Sequence, residues 1–300
     1  MLQKTKTDKA LREFGTFPFG VWTDYYNDFF DYTVNSHWHT DFEYGILLSG
    51  AVDYYINDVH IKLQKGDGFF VNANMLHMGK QSGGGEDAMM YSLTFPASFL
   101  AGGADSTAYT KYFLPLLSAQ IAGFTLPADN PSCADITALM TEIRGLNPEA
   151  FGYELKCLEY ASRLWLSTLE YIKESEKEII WCGKGVKHAE RAKEILSYIH
   201  KYYKTKITAE DISRHISISR SECFRCFKHF MNKGLVEYIN EYRLAIAAKL
   251  LLETGKNVTG ICMDCGFDNP GYFAKVFKAM YAVTPLQYRK SKGKNRRRRA

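Results

Sequence analysis

The feature that most constrains this chain is a pair of adjoining helix signals in residues 207–230, ITAEDISRHISISRSECFRCFKHF. Thr208 followed by Asp211 resembles a capping box, and Ser219 followed by Glu222 resembles a second one after a short break. Two short helices joined by a tight turn are typical of a DNA-binding helix-turn-helix. The sequence therefore predicts such a unit here.

The same arrangement recurs in residues 257–280, NVTGICMDCGFDNPGYFAKVFKAM. A turn at Gly266 separates two helical stretches, and Asn269 with Pro270 marks the start of the second one. The intervening helix, Val236 to Thr254, would span ~28 Å, which is close to the ~34 Å of one DNA turn. Two helices on such a spacer can enter successive major grooves on one side of a duplex. The sequence thus predicts a duplicated DNA-reading domain.

Charge is divided unevenly along the chain, although the net charge is only +5. Residues 1–185 hold 14 Lys and Arg against 23 Asp and Glu, a balance of −9, and residues 186–300 hold 24 against 10, a balance of +14. A basic excess across a whole domain predicts contact with nucleic acid. No apolar run reaches the ~20 residues of a membrane span, and the first residues lack a signal-peptide core. We expect a cytosolic protein without a membrane partner.

Residues 15–95 follow a strand-like pattern, with aromatic and β-branched residues between turn signals. The runs FEYGILLSG, AVDYYI, NDVHIKL, GDGFFVNA and AMMYSLTF recur at roughly the 8–12-residue spacing of a sandwich or small barrel. Asn57-Asp58 lies between two of these runs and predicts a hairpin turn. The amino-terminal half is therefore expected to be a small β-structure.

Beyond residue 105 the apolar period becomes helical, and one nearly continuous apolar seam follows. It consists of Phe151, Leu155, Leu158, Ser162, Trp165, Leu169 and Ile172. Such a seam predicts either a helix packed on its own barrel or a contact between two protomers, and the pattern alone favours neither. We expect residues 151–172 to pair the protomers of a homodimer.

The stretch HWHTDFE, residues 37–43, combines residue types that hold metal ions. His37, His39 and Glu43 share the same parity, so an extended strand places all three on one face. His77, at the end of GDGFFVNANMLH, adds a third imidazole from a later strand. This set suits Zn, Fe, Mn, Ni or Cu about equally well, but the same side chains can also hydrogen-bond an organic ligand or one another. The sequence therefore leaves open whether these residues bind a divalent metal ion.

Aromatic side chains in the same region predict flat apolar walls, which together with polar groups suit a sugar or another small polar organic molecule. About half of these aromatic side chains are expected to face the barrel interior by alternation. The candidate effector-binding residues are His37, Trp38, His39, Glu43, Tyr54 and His77, and the metal candidates are His37, His39, Glu43 and His77.

The pairs Cys223-x-x-Cys226 and Cys262-x-x-Cys265 imitate a four-cysteine zinc site. Each pair lies within a predicted helix, in a separate helix-turn-helix unit, at positions that call for small apolar residues. Because buried free cysteine behaves as a small hydrophobic residue, we expect core packing rather than zinc here.

The run YRLAIAAKLLLETGKNVTGICMDCGFDNPGYFAKVFKAMYAVTPLQYR resembles the carboxyl-terminal signature of AraC-family transcription regulators, over roughly residues 190–289. Gly266-Phe267, Tyr272-Phe273, Phe277-Lys278 and Thr284-Pro285 fall at the family spacing. The acidic half resembles a cupin, the sensor fold that such regulators often carry, through HxH, Glu43 and Gly50 and then GDGFFVNANMLH. Asn232 and Ala282 stand where the family usually has glycine, and Gly271 stands where a small hydroxyl residue is common.

The resemblance implies that helices 219–229 and 269–279 read DNA. For base contacts we expect Arg220, Arg225 and Lys275. The expected phosphate or positioning contacts are Ser219, Ser221, Lys228, Asn269, Gly271, Tyr272 and Lys278, although Gly271 removes a hydroxyl that could reach a phosphate.

The predicted fold is α+β with two domains. A cupin-like β-barrel and following helices, residues 15–175, bind an effector and dimerise. A linker over 176–187 leads to an all-α domain of two helix-turn-helix units joined by a long helix, residues 188–290. Residues 291–300 form a basic tail, disordered by composition.

We therefore expect a transcription regulator, an activator rather than an enzyme, that binds an operator duplex and a small effector and works with RNA polymerase. No cofactor is required by this reading. Two alternatives remain: a metal-dependent cupin enzyme with an accessory DNA-binding module, and a ligand-independent DNA-binding protein.

Overall fold

The chain forms two compact units, Met1–Val186 and Lys187–Ala300. The computed structural model describes residues 17–83, 85–103, 105–174, 178–182, 186–231 and 233–296. Over these residues, no helix is both long and apolar enough to cross a membrane. The first unit is rich in β-structure and the second is helical, as the sequence predicts.

The strands of the first unit form two antiparallel sheets, in the orders β1-β8-β3-β6-β9-β10 and β2-β7-β4-β5. They are β1 (Gly20–Tyr25), β2 (Thr33–His37), β3 (Phe42–Ser49), β4 (Ala51–Ile56), β5 (Val59–Gln64), β6 (Gly68–Val71), β7 (His77–Gln81), β8 (Met89–Phe95), β9 (Ile121–Leu126) and β10 (Ile179–Trp181). The hairpin predicted at Asn57-Asp58 is confirmed, because Ile56 pairs with Val59 and Asn57 has a φ of 52°.

Strand β10 lies inside the segment predicted to be a linker. Its Ile179 and Ile180 are buried, and it pairs with β9 at the edge of the larger sheet. The segment around Ile179 and Ile180 is thus an edge strand, since pairing satisfies its backbone on one side and the two isoleucine side chains are buried, while Trp181 is exposed. The segment predicted as linker is structured at this point.

Two apolar cores lie on either side of the larger sheet. Tyr54 and Phe69 belong to the core between the sheets, whereas Phe42, Tyr44 and Phe70 belong to the core on the outer face, under the helices. These helices are α1 (Ala97–Ala101), α2 (Leu114–Ser118), α3 (Ala134–Arg144) and α4 (Tyr153–Glu174). Two of these five aromatic side chains thus face the interior, close to the half expected from alternation, and the three that face outward are buried by the helices.

Helix α4 has the first of its two predicted roles, packing on its own barrel. Trp165 is buried, with its ring stacked on Phe113 at a centroid distance of 4.6 Å and 4.5 Å from Phe42. On another face of the helix, Leu155 and Leu158 are exposed. Only part of the predicted seam packs on the barrel.

The second unit consists of helices α5 (Val186–Tyr202), α6 (Ala209–His215), α7 (Arg220–Met231), α8 (Leu235–Glu253), α9 (Val258–Asp264), α10 (Pro270–Tyr281) and α11 (Pro285–Arg296). The capping box at Thr208 is confirmed: its Oγ1 accepts from the Asp211 amide, and the Thr208 amide donates to Oδ2 of Asp211. Asn269 caps α10 through its Oδ1, and Pro270 is the first helical residue, as predicted.

Two features at the end of this unit differ from expectation. Helix α11 continues to Arg296, into the segment predicted to be a disordered tail, because Lys, Arg and Gln are good helix formers that extend a helix started at Pro285. Ala282 ends α10 in the left-handed conformation, with φ 61° and ψ −2°. That conformation explains why glycine is usual at this position. Asn232 and residues 297–300 lie outside the described residues.

The paired cysteines pack in cores, as predicted. Cys223 and Cys226 are buried in α7, and Cys262 and Cys265 are buried in a separate apolar cluster around α8 to α11. Burial raises the pKa of each of these thiols, to about 11 for Cys226 and about 12 for Cys265.

Candidate effector site and nucleic-acid interface

The structure brings His37, His39, Glu43 and His77 together at one end of the barrel. Their potential ligand atoms all lie within 4.8 Å of one another. The Nε2 atoms of His39 and His77 are 3.0 Å and 3.2 Å from the same Oε2 of Glu43, and the rings of His37 and His77 are 4.2 Å apart. Glu43 and His77 are buried, whereas the His39 side chain is 23% exposed. The cluster therefore opens to solvent beside His39.

The other ring nitrogens determine what this cluster can hold. The Nδ1 atoms of His37, His39 and His77 lie 2.8 Å, 3.0 Å and 2.8 Å from main-chain carbonyl oxygens two residues away. A carbonyl only accepts, so each Nδ1 carries a hydrogen and a neutral ring presents a lone pair at Nε2. Two such lone pairs facing one carboxylate oxygen repel unless a proton or a cation lies between them. The donor set and its orientation fit a divalent metal ion.

Further polar groups face the interior next to Glu43. Thr94 on β8 pairs with Glu43 on β3, and Ser92 follows on the same face as the interior residue Met90. The hydroxyls of Ser92, Thr94 and Tyr54 are buried and have no hydrogen-bond partner among the described residues. Burial, followed by the charge of Glu43, raises the pKa of Tyr54 well above its usual range. These hydroxyls are placed to meet a polar ligand or water.

The predicted effector residues are thus mostly brought together. The Tyr54 ring stacks on Phe69 at 4.1 Å and lies 6.4 Å from the ring of His77, while Trp38 is half-buried. Sequence reasoning missed Ser92 and Thr94. Their signal was a pair of hydroxyl residues two apart in the run AMMYSLTF, where alternation places both on one face.

In the first helix-turn-helix unit, the predicted DNA contacts all lie exposed on or before α7. They are Ser219, Arg220, Ser221, Arg225 and Lys228. The predicted second capping box is only half formed: the Glu222 amide donates to Oγ of Ser219, but the Glu222 carboxylate pairs with Arg191 and Arg225. Two guanidinium groups attract that carboxylate more strongly than one backbone amide does.

Sequence reasoning also missed an exposed aromatic residue on α7. Phe224 is 41% exposed, and the guanidinium of Arg220 lies 5.7 Å from its ring centroid. An apolar side chain amid the polar residues of a reading helix was the available signal. Its ring is accessible for contact with a thymine methyl group.

In the second helix-turn-helix unit, the predicted DNA contacts lie exposed at the start and along one side of α10. They are Asn269, Gly271, Tyr272, Lys275 and Lys278. The Tyr272 hydroxyl accepts a hydrogen bond of 3.0 Å from Nδ2 of Asn240 on α8, which fixes the ring at the helix start. Oδ1 of Asn269 is occupied in capping, so its amide group is the part left to donate.

Two family models match this chain. Residues 24–164 match an AraC-like ligand binding domain, and residues 212–291 match a helix-turn-helix domain. The chain belongs to the AraC family of transcription regulators. This AraC-family chain is accordingly a DNA-binding regulator with a ligand-binding domain.

Two relatives match most of this AraC-family regulator, and a third matches about a third of it. An uncharacterised HTH-type transcriptional regulator, YdeC of Bacillus subtilis, is 29% identical over 262 residues, 85% of each chain. The melibiose operon regulatory protein of Escherichia coli is 23% identical over 261 residues, 85% of this chain and 83% of that one. The HTH-type transcriptional activator RhaR of Mannheimia succiniciproducens is 27% identical over 107 residues, 36% of this chain and 39% of its own length.

Proposed function

We propose that this regulator senses a small polar organic effector at a divalent metal ion held by His37, His39, Glu43 and His77, and that effector binding alters operator binding by the second unit. The observation that carries the proposal is the orientation of the three imidazoles, whose Nδ1 atoms are tied to carbonyls, while Nε2 of His39 and His77 face Glu43 and the potential ligand atoms of all four residues lie within 4.8 Å of one another. An ion there supplies an electrophilic position for effector oxygens.

The chemistry of the effector follows from the surrounding groups. The buried hydroxyls of Tyr54, Ser92 and Thr94 can exchange hydrogen bonds with hydroxyl groups of a ligand, and the Tyr54 and Phe69 rings offer an apolar wall. A sugar or related polyol has both kinds of surface. The relative named for the melibiose operon supports the same class.

The metal proposal is tested by thermal shift on the full chain after chelator treatment. Zn²⁺, Mn²⁺, Ni²⁺ or Cu²⁺ is expected to raise the melting temperature of the unit that holds the cluster, because an ion that binds only the folded state stabilises it by mass action. His39→Ala should remove this shift. His60→Ala is the matched control, since His60 pairs with Asp53 outside the cluster. An equal shift in both variants would refute the assignment.

The effector proposal is tested with the metal-loaded protein and a panel of sugars. A cognate sugar should produce a further shift and change operator affinity, with Thr94→Val and Tyr54→Phe weakening the response. Two-site coupling requires the effector to bind the two DNA-binding states with different affinity. A sugar that shifts the melting temperature without changing operator affinity would contradict the coupling.

For DNA, we propose that Arg220, Arg225 and Lys275 contact bases and that the other exposed positions on α7 and α10 contact phosphates. Arg225→Ala should weaken operator binding by about 1–3 kcal/mol, roughly fivefold to 150-fold, and relax sequence preference. Arg214→Ala is the control, because Arg214 is exposed on α6, outside the reading helices. Equal losses for Arg225→Ala on operator and random duplex would sink the base-contact assignment.

We propose further that the exposed face of α4 pairs two protomers. Leu155 is 72% exposed, and Leu158 and Leu166 are also exposed on this 22-residue helix. Burying such a face needs an apolar partner, and a second copy supplies one of matching shape. Leu155→Asp should shift the sedimentation coefficient to that of a monomer, whereas Lys156→Ala should not.

Activation through RNA polymerase is the proposed output, in keeping with the relative named as a transcriptional activator. A promoter-reporter assay in which deletion of the regulator raises expression would overturn it. If the protein converts a candidate effector and His39→Ala abolishes that turnover, the protein is instead a metal-dependent cupin enzyme. Identical operator affinity with and without every effector and metal tried would favour a ligand-independent DNA-binding protein.

A further inference from the structure

A second group of metal-ligand side chains lies in the helical unit, where α5 meets the first reading helix α7. Nδ1 of His188 is 3.2 Å from Sγ of Cys226 and 3.3 Å from Oε1 of Glu222, and the Cys226 thiol is 3.3 Å from the same Oε1. Glu222 and Cys226 are four residues apart on α7, so both point toward α5. His188 is distant from Glu222 and Cys226 in the sequence, so the Cys-x-x-Cys spacing pairs Cys226 with Cys223 and does not indicate the contact with His188.

Imidazole, thiolate and carboxylate are the three side-chain types that Zn²⁺ prefers. Zinc–ligand distances are about 2.0–2.3 Å, and three atoms 3.2–3.3 Å apart can all lie at that distance from one ion. We infer that His188, Glu222 and Cys226 form a zinc site on the first DNA-reading helix. Cys226 is buried, but the His188 side chain is 41% exposed, so water can reach the fourth coordination position.

The site has a consequence for the neighbouring arginines. Without an ion, Oε1 of Glu222 accepts a hydrogen bond of 2.8 Å from Nη1 of Arg191, and Oε2 pairs with Arg225. An ion bound to Oε1 replaces Arg191 there and repels both guanidinium groups. Arg225 is then released from Glu222 and is available to DNA; this step rests on the proposed base contact of Arg225.

The test is a Co²⁺ titration of the reduced, chelator-treated full chain, read by absorption. A thiolate bound to Co²⁺ gives a strong near-ultraviolet charge-transfer band, and the barrel cluster contains no sulfur ligand. The band should saturate when one Co²⁺ per chain is bound at this site, in addition to any Co²⁺ bound in the barrel. Zn²⁺ should displace this Co²⁺ and remove the band. It should survive His39→Ala, which separates this site from the proposed effector site.

The variants assign the ligands. Cys226→Ser should abolish the band, and His188→Ala, at a partly exposed position, should weaken Co²⁺ binding at least tenfold. Cys223→Ser is the matched control, because Cys223 is a buried thiol on the same helix outside the cluster. No band in the unaltered protein, or a band that persists in Cys226→Ser, would overturn the site.

The arginine release is tested separately by operator titration. Zn²⁺ should increase operator affinity several-fold in the unaltered protein and in His39→Ala, but not in Cys226→Ser or Arg225→Ala. If a clear Co²⁺ band is seen but Zn²⁺ does not change operator affinity, the metal site stands and the proposed release of Arg225 from Glu222 is overturned.

Discussion

Replacing Ala282 by glycine should stabilise the helical unit, although it removes a methyl group and adds no contact. Ala282 is exposed and holds φ at 61°, a left-handed backbone that costs an L-residue about 1–2 kcal/mol. Glycine removes that cost but gives the unfolded chain more freedom, worth about 0.4–1 kcal/mol in the opposite direction. The central values, about 1.5 and about 0.7 kcal/mol, leave a gain of about 0.8 kcal/mol.

The assay can follow each unit separately, because all four tryptophans, Trp22, Trp38, Trp165 and Trp181, lie in the first unit. Tryptophan fluorescence during urea unfolding therefore reports the first unit, while circular dichroism of the helical signal also reports the second. With a urea slope of about 2 kcal/mol per molar, Ala282→Gly should raise the midpoint of the helical unit by about 0.3–0.5 M and leave the fluorescence transition unchanged.

Ala279→Gly is the matched control, since Ala279 is exposed within α10 and has helical backbone. The same chemical change should there lower the midpoint, by up to about 1 kcal/mol of stability. Opposite signs for the two variants would support the left-handed assignment. An unchanged or lowered midpoint for Ala282→Gly would refute it.

Three further predictions use the same two signals. The pKa of His200 is lowered to about 4 by burial, against about 6.5 in the unfolded chain, so below pH 6.5 only the unfolded state gains the proton. The helical unit should lose up to about 3 kcal/mol between pH 6.5 and 4, and a His200→Gln variant should lack that dependence over the same range. Thr208→Ala removes the cap of α6 and should lower the stability of the helical unit by about 1 kcal/mol; a shift of the fluorescence transition instead would contradict this. Gly45→Ala places a Cβ 2.3 Å from the buried Phe69 ring and should cost the barrel about 1–3 kcal/mol, seen as an earlier fluorescence transition; an unchanged one would show that the ring yields freely.

The helical unit was the more predictable of the two because its signals are local. Thr208 and Asn269 cap helices within three residues of themselves, so their roles can be read without knowing the rest of the fold. Even here, Ala282 gave no sign of its left-handed backbone except through the family comparison. A left-handed backbone cannot be predicted from the sequence when a residue other than glycine adopts it.

For the barrel, the sequence predicted which side chains share a face of a strand, but not which face is inside. Alternation placed His39 and Glu43 on one face, but it does not say which face is inside when both are buried. Phe42 and Tyr44 lie on the face opposite to Glu43, as alternation requires, and that face is also buried because α4 covers it from a distant part of the chain. The partners of Cys226 were out of reach for the same reason: a spacing rule compares neighbours in sequence, and His188 is 38 residues away.

Strand β3 carries Glu43 toward the histidine cluster, and the next residue, Tyr44, points the other way and hydrogen-bonds Thr168 on α4 at 2.8 Å. The exposed leucines of that same helix lie on its far side. A ligand on the cluster and a second protomer on α4 would thus be separated by one sheet and one helix. No long relay of side chains is needed between them, because strand β3 alone reaches both: through Glu43 to the cluster and through Tyr44 to α4.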